Sequence, residues 1–116
     1  MAYLQHIEHE RILRLAEQIS AGPGQVVSKT LVQNDAVGIT LFAFSEGSQI
    51  SAHSASGDAM VTVLEGRGLL TVNGQRYDVS AGETLVMPAG KPHSVDASEP
   101  FKMLLTVIFP WEDKAR

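Results

Sequence analysis

Four histidines and no cysteines set the chemical limits of this 116-residue chain. Imidazole ligates transition metals, moves protons near neutral pH and donates hydrogen bonds. Without thiols there is no disulfide scaffold, cysteine-based zinc site, iron–sulfur cluster or thiol nucleophile. His6 and His9 have a spacing that could clamp a metal, but Glu8 and Glu10 beside them point to a solvated face. His53 and His93 stand in different company. Gly47 precedes His53 by five intervening residues, and Gly66 follows. Gly82, Pro88 and Gly90 lead up to His93 in the run Gly82-Glu-Thr-Leu-Val-Met-Pro88-Ala-Gly90-Lys-Pro-His93. Other candidates fail. Glu65-Gly66-Arg67-Gly68 has no Gly-Lys-Ser/Thr and no helix pattern after it, so it is not a phosphate loop. Ser54 and Ser56 lack a nucleophile elbow. Met60, Met87 and Met103 alternate within strand patterns and read as core.

The elements that must position these histidines are mostly strands. Residues 1–20 carry Leu4, Ile7, Ile12, Leu15, Ala16 and Ile19 at mixed three- and four-residue spacing, which predicts one amphipathic helix. Ala21-Gly22-Pro23-Gly24 ends it. Beyond Gly24 the period shortens, and 25–110 reads as about nine short strands rich in β-branched and aromatic residues. Asn73-Gly74, between Leu69-Leu-Thr-Val72 and Gln75-Arg-Tyr-Asp-Val79, is a type I′ hairpin signal. Strands at this spacing argue for an antiparallel sandwich or barrel. The expectation is a single domain over 1–116: all-β, with a short N-terminal α-helix.

In its glycine and histidine spacing the chain resembles the cupins. Their first motif reads G-x(5)-H-x-H-x(3,4)-E-x(6)-G and their second G-x(5)-P-x-G-x(2)-H-x(3)-N. The second is matched at Gly82, Pro88, Gly90 and His93, with Ala97 in place of the final Asn. The first is matched at Gly47, His53 and Gly66. The resemblance implies a cupin-type jelly-roll barrel. It also implies a divalent metal held by three histidines and a glutamate, and here the chain departs from the pattern. Ala55 stands at the second histidine position and Ala59 at the glutamate position, leaving His53 and His93.

Those departures shape the functional expectation. The pocket comprises His53, Ala55, Ala59, Val61 and His93, and the two alanines enlarge it and remove a charge. Asp58 is the candidate third metal ligand. Neighbouring strand residues point to opposite faces, so Asp58 reaches the interior only through a bulge at Gly57. Two readings stay open: one divalent transition metal (Zn, Ni, Fe, Mn or Cu) of reduced ligation, or a metal-free pocket with the histidines as hydrogen-bonding groups. A structural remnant is the third. The function expected is binding of a small organic ligand. The alternative is a metal-dependent enzyme of dioxygenase, decarboxylase or isomerase type. Nine Lys and Arg against thirteen Asp and Glu give a net charge of −4, with scattered cations, so no nucleic-acid footprint is present. No apolar run could span a membrane, and a soluble cytoplasmic protein is expected. Strands apolar on both faces, such as Val37–Phe44 and Met103–Ile108, predict a homodimer.

Overall fold

The computed structural model describes residues 2–110. The polar tail 111–116, expected to be loose unless Trp111 docks, lies outside the described residues. Nine strands follow in order: β1 (Val26–Gln33), β2 (Val37–Phe44), β3 (Gln49–His53), β4 (Asp58–Glu65), β5 (Arg67–Val72), β6 (Gln75–Ser80), β7 (Thr84–Met87), β8 (His93–Asp96) and β9 (Phe101–Ile108). They form a five-stranded sheet, β1-β2-β9-β4-β7, and a four-stranded sheet, β3-β8-β5-β6, with every pairing antiparallel. The antiparallel all-β sandwich expected from the strand periodicity, and the jelly roll implied by the resemblance, are the fold observed. Asn73 and Gly74 both take positive φ, 49° and 83°, as a type I′ turn requires. They set Val72 opposite Gln75.

The space between the sheets is filled by alternate residues from both. Phe44, Val61, Val63, Leu70, Phe101 and Met103 are all at most 2% exposed. The Phe44 and Phe101 rings stack with centroids 4.5 Å apart. Gly68 lies under the same Phe101 ring, where a Cβ would come within 2.5 Å of the ring carbons. A side chain there would have to displace a buried aromatic.

The N-terminal helix is the expectation the fold overturns. Residues 2–14 carry no helix, and only a single 3-10 turn forms at Leu15–Glu17. His6 and Glu10 take positive φ, 60° and 55°, which breaks any right-handed helix twice. The Gln5 N–H donates to the Leu31 carbonyl at 2.7 Å, and the His6 Nδ1–H to the Thr30 carbonyl at 2.9 Å. The segment therefore satisfies its backbone on β1 rather than within itself. Its apolar residues do have the role their spacing suggested. Ile7, Leu15, Ile19 and Ala21 cover Leu41, Ala43, Leu64 and Leu104 on the outer face of the larger sheet. Tertiary burial has overridden the helical period. Among the described residues no helix is long and apolar enough to cross a membrane.

Candidate functional site

His53 ends β3, His93 begins β8, and the two are Cα partners in that ladder. Four hydrogen bonds hold the surrounding loops in place. The Gly47 N–H donates to the Ala97 carbonyl at 2.7 Å and the Ala97 N–H to the Ser48 carbonyl at 3.0 Å. On the other side of the pair, the Gly90 N–H reaches the Ala55 carbonyl and the Ala89 N–H reaches Asp58 Oδ1, each at 2.8 Å. The loop after β7, which delivers His93, is thus tied to the loop that follows His53. Gly57 completes that junction: a Cβ there would collide with the Ile108 carbonyl oxygen.

The two imidazoles meet edge to face, with ring centroids 4.3 Å apart and Nε2 atoms 3.2 Å apart. His53 Nδ1 lies 3.1 Å from the Ser51 carbonyl, and His93 Nδ1 3.3 Å from the Lys91 carbonyl. A carbonyl only accepts, so each contact favours a proton on Nδ1. With both rings in that tautomer the two Nε2 lone pairs face each other, whereas a ring protonated at Nε2 donates to the other across the 3.2 Å gap. His53 is exposed at the mouth, whereas His93 is 6% exposed. Burial pushes the His93 pKa below its ordinary value, and neighbouring His53 pushes it further down, partly offset by the Lys91 carbonyl. His93 is thereby biased toward the neutral, lone-pair-bearing form near neutral pH.

The other expected site residues are placed differently. Ala59 and Val61 point between the sheets but are packed into the core, 2% and 0% exposed, so no water-sized space touches Val61. They form the floor beneath the site rather than the wall of an open chamber. Ala55 is half-buried and contributes its carbonyl to Gly90. Asp58, the candidate third ligand, does not converge with the two histidines in this structure. The β4–β9 register runs unbroken through Asp58↔Ile108 and Ala59↔Met87 follows on the β7 side, so no bulge turns Asp58 inward. It is exposed and accepts from Ala89. Among the described residues no three His, Cys, Asp or Glu side chains converge as a metal site. His6 and His9 are exposed and bonded to backbone carbonyls, His9 to that of Leu4 at 2.9 Å.

The cupin-domain family model matches residues 40–109. The chain belongs to the cupin family. A conserved protein of unknown function from Streptococcus pyogenes has a solved structure that superposes with a TM-score of 0.92, at 43% identity over 97% of this chain and 98% of the other. A cupin superfamily protein of Desulfitobacterium hafniense superposes with a TM-score of 0.89, at 35% identity over 94% of this chain and all of the other (100%). An uncharacterized protein of Methanocaldococcus jannaschii is 33% identical over 51 residues, 42% of this chain, and the match spans only 41% of that relative's length. Solved structures of a salicylate 1,2-dioxygenase and a predicted oxalate decarboxylase match at 17 and 22% identity, which speaks for the fold alone.

Two further residues belong beside the pair and carried no signal of their own. Val72 is the Cα partner of His93 on β5, and Gln75 is the partner of Val72 on β6. The Asn73-Gly74 turn is what could have located them, because a two-residue hairpin fixes the register of its flanks. The carbonyls of Ser51 and Lys91 had no signal at all, since any residue supplies one.

Proposed function

We propose that this cupin binds a small organic ligand at His53 and His93, through a divalent transition metal that the two histidines hold weakly. One observation carries the reading: the two Nε2 atoms lie 3.2 Å apart while each Nδ1 lies against a backbone carbonyl, so that rings protonated at Nδ1 would offer both Nε2 atoms to one ion. Two ligands each about 2.0–2.1 Å from one ion at a near-tetrahedral angle lie about 3.4 Å apart, close to the observed 3.2 Å. Donation of the second ring nitrogen to a carbonyl is the usual support of a metal-ligating histidine. Two protein ligands leave the other coordination positions to water and to the bound molecule, which explains why affinity for metal alone should be low. The metal supplies Lewis-acid attraction for an anionic oxygen when bound. The chain's own residues orient the two rings and keep His93 neutral.

The metal-dependent enzyme is the second reading. Binding is favoured because no carboxylate converges with the histidines among the described residues, leaving no orienting partner for a histidine base beyond backbone carbonyls. The test is calorimetric titration with Zn2+ and Ni2+ at pH 7.5, on the chain as it stands and on H53A and H93A. The expected result is saturable one-to-one binding that falls at least about tenfold in each variant. Binding indifferent to both substitutions would overturn the reading.

The reading includes a homodimer, paired through the part of the outer sheet face that the N-terminal segment leaves open. Met60, Val86 and Ile108 are 43, 53 and 56% exposed there. Met60 is the partner of both Val86 and Thr106. The patch is apolar and threonine-lined, with Asp58 at its edge beside Ile108, and a second copy presents the same apolar surface across a two-fold axis.

A further inference from the structure

The histidine pair is one end of a longer row. The registers His53↔His93, Val72↔His93 and Val72↔Gln75 set four residues side by side across β3, β8, β5 and β6. Directly opposed residues of antiparallel strands share a face, so the row runs across the inner face of the smaller sheet. With strands about 4.8 Å apart, His93 and Gln75 are about 10 Å apart along it. Tyr77 lies on the same face of β6, one alternation further on. At this end the two sheets part between edge strands β6 and β7. They leave a cleft of about 310 Å3 whose lining includes Val72, Gln75, Tyr77, Leu85, Pro88 and Lys91.

The chemistry of the cleft is one-sided. Lys91 brings an ammonium, Tyr77 a phenol and Gln75 a carboxamide, while Val72, Leu85 and Pro88 supply apolar wall. No Asp or Glu lines it. Lys91 forms no ion pair among the described residues. Its carbonyl is also the acceptor for His93 Nδ1–H, so cation and imidazole ride on one short stretch of chain. Two residues that line the cleft therefore also adjoin His93, Val72 as its partner on β5 and Lys91 through its carbonyl.

We propose that the cleft is the second half of the binding site and that the ligand is a short aliphatic dicarboxylate. One carboxylate is engaged at His53 and His93, the methylenes lie against Val72, and the far carboxylate is received by Lys91 and Tyr77. A cleft lined by a lysine and a tyrosine and by no acid favours an anionic oxygen over a neutral one through a charge-assisted hydrogen bond. The apolar stretch between the two polar ends sets the length of the chain that fits. This inference rests on the histidine pair as the anchor for the near carboxylate.

The test is titration of the full chain, with Zn2+ present and absent, using the dicarboxylates succinate to pimelate. Each is compared with the monocarboxylate of the same carbon number, butyrate to heptanoate. The best dicarboxylate is expected to bind at least about tenfold more tightly than its monocarboxylate partner. K91M and Y77F should bring that ratio toward one. The ratio is the readout because a damaged fold lowers both affinities together. A wild-type ratio near one, with monocarboxylate binding still lost in H53A, would overturn the dicarboxylate cleft and leave the histidine anchor standing. A ratio unchanged in both K91M and Y77F would likewise overturn it. Binding of neither acid, or binding indifferent to H53A and H93A, would overturn both.

Discussion

Asp58 and Ala89 are joined by a 2.8 Å hydrogen bond from backbone amide to carboxylate, and through it the first residue of β4 fixes the turn that delivers His93. The carboxylate that looked like a metal ligand is a positioning residue. D58A should lower stability by about 1 kcal/mol and loosen the loop, weakening Zn2+ binding with it. D58N keeps an acceptor oxygen and should recover most of both. Urea denaturation and the ring NMR signals of His53 and His93 are the measurements. A D58N variant as impaired as D58A would mean that charge, not the hydrogen bond, is what matters.

The depressed pKa of His93 makes the metal-free protein sensitive to mild acid. Its cause is burial first and His53 second. The unfolded chain takes up the His93 proton near pH 6.5 and the folded chain only at lower pH. In that window the unfolded state binds more protons. The stability from a neutral His93 is thus complete above about pH 6.5 and is lost as pH falls toward the lowered value. Denaturation series at pH 8, 7, 6 and 5 should show a decline that flattens in H93Q. Equal slopes for the two proteins between pH 7 and 5 would count against it.

Light scattering at micromolar concentration should give about 25 kDa, twice the 12.5 kDa chain. M60K together with V86K places like charges on the open sheet face and should shift the mass toward one chain. A wild-type mass of one chain would mean that Met60, Val86 and Ile108 remain in water.

Much of this molecule was legible in its sequence, for identifiable reasons. Asn73-Gly74 admits few backbone conformations, so its hairpin and register were readable from two letters. His53 and His93 were legible because glycine and proline spacing fixes the loops that bring them together. The N-terminal segment was not. Its apolar spacing fits a helix, but a spacing says only which residues are buried, not what covers them, and β1 offered its backbone a better partner. β3 was weak for another reason: Gln-Ile-Ser-Ala-His has one apolar β-former, Ile50, and four of its five residues are exposed. Asp58 was misread because chemical type suggests a ligand, whereas strand alternation, intact at Asp58 and Ala59, decides where it points.

The drape of the N-terminal segment over the outer sheet bears on how such chains are cut. The cupin-domain family model begins its match at residue 40, inside β2. A fragment trimmed to that point would keep both histidines and lose the edge strand β1, together with the segment that seals Leu41 and Ala43, now 0% and 2% exposed. The Lys102 Nζ–H that reaches back to the Ala16 carbonyl at 2.6 Å would lose its acceptor. Such a fragment would present a bare apolar sheet with a raw edge, the recipe for aggregation. The family model marks a core shared by many cupins; the cooperative unit of this molecule starts well before it.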